Sequence, residues 1–296
     1  DYLSTNVATS LNGMKKVAVQ HHHAHLASCM ADNGVTGETI GVIFDGIGYG
    51  SDGHIWGGEF LLGDYSGFRR VGQFDYVSMP GGDAATREPW RMAISYLMQA
   101  FGDDIPESVL HFETDPAQLK LLKQMIQKGI NSPLTSSCGR LFDAVAALAG
   151  VRDKVSYEGQ AALELEMVLQ DDAGQAGCYP FEIRKEHGLL VVSAVKMIQQ
   201  LISDLRNNVS KEKISARFHN GLVKTIVDVC VALRVDHRKL PVALSGGVFQ
   251  NRYLTERAMR LLKEDGFEVL VHRQVPPNDG GLSLGQAVIA GHLEER

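Results

Sequence analysis

The sequence predicts an α/β fold, because strand and helix signals alternate along the chain and glycine-rich loops sit where they meet. Three successive strands are expected, Ile40 to Phe44, Gly53 to Leu62 and Phe68 to Phe74, with turn residues Ser51-Asp52-Gly53 and Gly63-Asp64-Tyr65-Ser66-Gly67 between them. Late in the chain a second signal appears. Val242-Ala243-Leu244 reads as a strand that stops at Ser245-Gly246-Gly247, followed by a helix from Asn251 to Lys263, a strand from Phe267 to His272 and a final helix.

The remaining elements follow in order. Asp1-Tyr2-Leu3-Ser4-Thr5 shows neither a helix nor a strand pattern and no initiator Met, so a fragment of a longer protein is expected. Val17-Ala18-Val19 reads as a strand ending where a helix begins at His21. Pro80-Gly81-Gly82-Asp83 marks a change to helix. From Glu88 the apolar Trp90, Ala93, Ile94 and Leu97 have helical spacing, and helices are expected to dominate through Val168. Pro276-Pro277-Asn278-Asp279-Gly280-Gly281 is a tight loop ahead of the last helix.

Composition narrows the class. With 296 residues, 44% hydrophobic, 22% charged and a net charge of -6, the chain has ample core and the profile of an ordinary soluble protein. A general nucleic-acid surface and a membrane span are not expected. Cys29, Cys138, Cys178 and Cys230 lie far apart with no CxxC pair, which favours reduced thiols and a cytoplasmic location over a zinc ribbon or disulfide framework.

The run His21-His22-His23-Ala24-His25 carries the most specific chemistry. Residues four apart on a helix point the same way, so His21 and His25 can grip one metal ion. An expression tag would be terminal and uninterrupted; this run is internal and flanked by apolar residues. Two histidines supply only part of a coordination sphere, so one or two more ligands are needed. Two histidines plus carboxylate with an open position, suited to zinc or iron, is the expectation. Asp45 and Asp279 are carboxylates in strand-end loops. Each has a plainer reading: Asp45 as a hairpin-turn residue and Asp279 as a helix N-cap.

Other motifs suit an anionic ligand. Asp45-Gly46-Ile47-Gly48 sets a carboxylate beside bare backbone N–H groups. Gly57, Gly58 and Glu59 lie on the second strand, where paired glycines mark either a close ligand or a bulge. Ser245-Gly246-Gly247 through Asn251 presents N–H groups at a helix start, which fits a nucleotide or a plain turn. Gly139, Arg140 and Asp143 open an apolar helix and, with Glu158, are candidates for nucleotide contact; capping explains Asp143 nearly as well. Arg87 and Arg91 flank a helix start and read as solvated or as anion-binding.

Taken together and in this order, HHHAH, DGIGYGSDGHIWGGE, PGGDAATREPWR, SSCGRLFDAVAAL, YEGQAALELE, SGGVFQN and PPNDGGLSLGQ make the chain, from Gln20 to Gln286, resemble the C-terminal part of the HypF family of hydrogenase-maturation carbamoyltransferases. The resemblance implies a two-lobed fold of the actin, sugar-kinase and heat-shock-chaperone type (ASKHA) with ribonuclease-H-like sheets. Residues 1–39 would be the remainder of an incomplete first lobe carrying the metal-binding helix. Residues 40–296 would be the second lobe, with nucleotide loops, a helical insertion and a C-terminal helix returning to the first. It implies binding of ATP or carbamoyl-adenylate, one divalent metal (zinc or iron) on His21, His25, Asp45 and Asp279, and room for Mg with the nucleotide.

Backbone groups at Gly46, Gly48, Gly57, Gly58, Gly246 and Gly247 would orient the nucleotide, and His22 or His23 would serve as base toward an incoming thiol. The implied acceptor is the C-terminal cysteine of HypE, and the implied partners are HypE and the family's own N-terminal modules, with no nucleic acid and no membrane. Two other readings stand beside it: an O-carbamoyltransferase acting on a small hydroxylated acceptor, and a nucleotide-binding interaction module without chemistry. A metalloprotease is a poor fit, since HEXXH is absent.

Overall fold

A computed structural model of the chain describes residues 3–112, 115–234 and 240–294. Its centre is a mixed sheet. The long strands are β1 (Thr39–Tyr49), β2 (Ile55–Asp64) and β3 (Gly67–Phe74), followed by the short β4 (Val77–Ser78) and β5 (Leu134–Thr135). A hairpin, β6 (Glu182–Glu186) and β7 (Leu189–Ser193), and two late strands, β8 (Val242–Ser245) and β9 (Val269–Val271), complete it.

The strand order is β6-β7-β3-β2-β1-β8-β9, with β5 joining β2 and β4 at one end. Strands β1, β2 and β3 pair antiparallel, whereas β8 pairs parallel with β1 and β9 parallel with β8. This is the mixed α/β sheet the sequence predicts, in the ribonuclease-H-like arrangement that the resemblance implies.

Strand alternation explains how both faces are covered. Val42, Phe44, Phe60, Val242 and Leu244 join the large core with the helices Pro89–Phe101, Cys138–Leu148 and Lys211–Ala232. Ile43, Leu61 and Ala243 point the other way, onto Leu26, Cys29 and Met30 of the helix His21–Asp32. Burying one such Leu or Met side chain contributes about 1.5–3 kcal/mol, so this smaller cluster is what seats the histidine helix on the sheet.

The last helix, Leu282–Glu294, lies against the histidine helix at very close range. A Cβ on Gly285 would sit 1.9 Å from the carbonyl oxygen of Ala24, so only glycine permits the crossing.

Two local expectations are corrected. Val17–Val19 is not a strand, because no neighbouring strand is there to pair with it among the described residues. The opening of the chain, where no element was expected, forms the helix Leu3–Ser10. No helix among the described residues is long and apolar enough to cross a membrane.

Candidate metal and nucleotide site

Three separate elements bring four ligand atoms together. The histidine helix starts at His21 because Gln20 caps it, its side-chain oxygen accepting the N–H of His23 at 2.9 Å. His21 and His25 then lie one turn apart on the same face, their rings edge to face with centroids 4.8 Å from each other. Asp45 lies on β1 just beyond Phe44, where pairing with β2 breaks until Gly48, and by alternation it shares the face of Ile43. Asp279 opens the short turn Asp279–Gly281.

His21 Nε2 lies 3.0 Å from Asp45 Oδ2 and 3.6 Å from Asp279 Oδ1. The corresponding distances from His25 Nε2 are 3.3 and 3.5 Å. All four donor atoms fall within 4.8 Å of one another. Two imidazole nitrogens and two carboxylate oxygens so disposed fit a zinc or iron ion.

The electrostatics describe the group without an ion. Burial pulls the His25 imidazole down, but hydrogen bonds to Asp279 and Asp45 outweigh it and push its pKa up to about 9. Burial also opposes ionisation of Asp45, yet hydrogen bonds from His21 and His25 hold its carboxyl well below the ordinary carboxylate range. The ionised Asp45 carboxylate therefore clasps the imidazolium proton of His25. A divalent cation fits the same clasp and would displace that proton.

Asp279 has a 62% exposed side chain, so its position depends on how its loop is tied down. The histidine helix ties it at both ends. Ser28 Oγ donates to Gly281 O at 2.7 Å, and Asp32 accepts the N–H groups of Arg273 and Gln274 where the loop begins. Asp45 is held as firmly. Its Oδ1 accepts the N–H of Gly247 at 3.1 Å, while the Ser137 hydroxyl faces the carbonyls of Asp45 and Gly46 at 2.9 and 2.6 Å.

Asp45 and Asp279 also line a cavity of about 630 Å³. Of the residues expected to meet a nucleotide, Gly46, Gly139, Arg140, Asp143, Glu158, Gly247 and Asn251 line it as well. Arg140 is only 4% exposed, and its Nε and Nη1 have no hydrogen-bond partner among the described residues. Its Nη2 lies 3.0 Å from Asp143 Oδ2. Unpartnered buried guanidinium N–H groups are costly unless an anion meets them, which suits a phosphate. Burial pushes the Asp143 carboxyl up to about 6 against the pull of Arg140.

Other expected residues are placed elsewhere. The N–H groups of Gly57 and Gly58 donate to Glu59 Oε1 at 3.1 and 3.2 Å, and Glu59 is fully buried, bonded also to Ser136 and Arg70. These three residues form an internal clasp outside the cavity. Gly246 N–H is taken by Pro277 O at 2.9 Å, and Gly247 N–H by Asp45, so neither is free for a ligand. Gly48 serves packing: a Cβ there would lie 2.3 Å from the His22 ring.

His22 and His23 do not line the cavity either. His23 Nε2 donates to Asp64 O at 2.7 Å and its ring leans on Phe68. His22 accepts from Gln20 Nε2 at 3.1 Å, and burial, more than its neighbours, holds its pKa well below the usual value. A base acting on an incoming thiol would have to reach the cavity, and neither ring does.

Residues 41–286 match the family described as carbamoyltransferase, Kae1-like domain, second subdomain, and residues 1–32 match the HypF Kae1-like domain. The chain belongs to the HypF carbamoyltransferase family. A probable carbamoyltransferase HypF of Methanocaldococcus jannaschii is 34% identical over 96% of this chain, which spans 37% of that relative's length. A carbamoyltransferase HypF homolog of Cupriavidus necator is 33% identical over 98% of this chain and 75% of its own. The solved structure of full-length HypF in a phosphate- and nucleotide-bound form superposes with a TM-score of 0.92 at 41% identity, covering all of this chain and 46% of that one.

Tyr157, Leu163, Glu166 and Asn278 also line the cavity and were not singled out on sequence. All four lie within stretches that carry the HypF resemblance, YEGQAALELE and PPNDGGLSLGQ, but only Asn278, the residue before Asp279 in a glycine loop, had a local chemical cue.

Proposed function

We propose that this chain is the carbamoyl-transfer part of a hydrogenase-maturation enzyme. It holds ATP-derived carbamoyl-adenylate in the cavity, with its phosphate toward Asp45 and Asp279, and passes the carbamoyl group to the C-terminal cysteine of HypE. The observation that carries this reading is that Asp45 and Asp279 belong both to the four-donor group and to the cavity wall. Membership of the HypF family, and the nucleotide-bound form of a relative 41% identical, support it.

A zinc or iron ion held by His21, His25, Asp45 and Asp279 would supply Lewis acidity toward a phosphate oxygen. Arg140, buried in the cavity wall, offsets the charge of the phosphate. The sulfur of the incoming thiolate attacks the carbamoyl carbon. A C–S bond forms, the C–O bond to the adenylate breaks, and AMP leaves with the electron pair on its phosphate oxygen. The nucleophile comes from the partner. Of this chain's cysteines, Cys29, Cys138 and Cys230 are buried, and burial pushes their thiols up, away from the reactive thiolate form, while the exposed Cys178 does not line the cavity.

The test supplies preformed carbamoyl-adenylate and HypE to the metal-loaded chain and follows both AMP release and the mass of HypE. Equimolar AMP and one carbamoyl group on the C-terminal cysteine are expected, with both lost in His21→Ala/His25→Ala. AMP release with the carbamoyl group on a small hydroxylated additive instead of HypE would overturn the acceptor assignment.

A further inference from the structure

The helix Lys211–Ala232 carries two adjacent buried polar residues, His219 and Asn220, that the transfer chemistry does not use. His219 is fully buried. Its Nδ1 lies 2.8 Å from Ser215 O, and a carbonyl oxygen only accepts, so Nδ1 carries the proton and Nε2 presents a lone pair. That lone pair faces Asn251 Nδ2 at 2.9 Å.

On its other side, Asn251 Oδ1 accepts the N–H of Leu254 at 2.8 Å and caps the helix Arg252–Glu264. The amide is thus fixed at both ends. Its oxygen is engaged by the helix, one N–H by His219, and the second N–H remains on a residue that lines the cavity. Asn220 secures the same turn, its Oδ1 accepting from the Tyr253 hydroxyl at 2.7 Å. The imidazole itself is edged by Phe142, Phe218 and Tyr253, at centroid distances of 5.4, 5.7 and 5.8 Å. Burial keeps His219 neutral, with its pKa lowered to about 4, so the tautomer persists at neutral pH.

We propose that His219 is a positioning residue of the nucleotide site: by accepting from Asn251 Nδ2 it turns an amide N–H toward the cavity in place of the carbonyl oxygen. The site thereby selects an acceptor atom of the nucleotide. This inference rests on the nucleotide reading of the cavity, and its test separates the two.

ATP is titrated calorimetrically into the wild type, His219→Leu, His219→Gln, Asn251→Ala and the His219→Leu/Asn251→Ala pair, with a thermal midpoint for each. Gln keeps an acceptor near the Nε2 position and Leu removes it. His219→Leu and Asn251→Ala are each expected to weaken ATP about tenfold, the order of one hydrogen bond, with no further loss in the double variant and recovery in His219→Gln. Unchanged ATP affinity in His219→Leu beside a loss in Asn251→Ala overturns the positioning role and leaves the nucleotide reading standing. No ATP binding in the wild type overturns both. Should His219→Leu fail to fold, imidazole ¹⁵N spectra of the wild type decide: a protonated Nδ1 is required, and a protonated Nε2 contradicts the proposal.

Discussion

Zinc affinity of this chain should fall at least a hundredfold between pH 8 and pH 6. In the ion-free group His25 holds a proton up to about pH 9, because Asp45 and Asp279 both accept from it. A cation bound at Nε2 must displace that proton, so below pH 9 each pH unit costs a factor of ten in apparent affinity for every proton released. Two units therefore amount to roughly 3 kcal/mol. Asp45 adds nothing to this slope, since its carboxyl is held ionised far below the range tested. The assay is calorimetric titration of zinc at pH 6, 7 and 8, repeated in buffers of different ionisation enthalpy to count the protons. Affinity flat across this range, or zinc binding without proton release, would refute the clasp as described.

Removing the ion gives a second pH signature. The folded pKa of His25 lies above its ordinary 6.5, so its pairing stabilises the ion-free chain fully below pH 6.5, and that stability is lost as pH rises through about 9. Denaturant midpoints should decline over that window in the ion-free chain and hold steady once zinc is loaded. Gly285→Ala sets a Cβ against Ala24 O and should cost about 1–3 kcal/mol of stability, with weaker zinc binding as the histidine helix shifts. In the same helix Gly291 has nothing within 4 Å of a built Cβ, so Gly291→Ala should stabilise by about 0.5–1 kcal/mol; equal effects at the two sites would contradict the packing. Arg140→Ala should weaken ATP about tenfold or more, the order of a charged hydrogen bond, while leaving zinc affinity near that of the wild type; equal ATP affinity would remove the guanidinium from the phosphate.

Much of this was legible because the signals are local. Turn residues bracket β1, β2 and β3, and the i, i+4 spacing alone puts His21 and His25 on one helix face. Asp45 and Asp279 were identifiable as strand-end carboxylates, but only the parallel pairing of β1 with β8 explains how residues so far apart in sequence meet. Where local reasoning failed, tertiary partners decided. Val17–Val19 has a strand's composition and no strand beside it. Gly57 and Gly58 carry the paired-glycine signal of a ligand loop, yet their N–H groups are satisfied by the side chain of the next residue, Glu59. Strand β6, with the polar sequence EIRKE, sits at the sheet's edge and shows no apolar alternation to betray it. The helix Lys211–Ala232 buries His219 and Asn220, so its polar residues masked a core element.

The central claim is that the four-donor group and the cavity are one site. Its most direct test is the affinity of ATP for the zinc-loaded chain, the ion-free chain and a His21→Ala/His25→Ala variant shown to be folded. One shared site predicts that ATP binds tightly only to the zinc-loaded wild type and weakens alike when the ion or the two imidazoles are removed. Equal ATP affinity in all three would separate the nucleotide from the metal group and contradict the account.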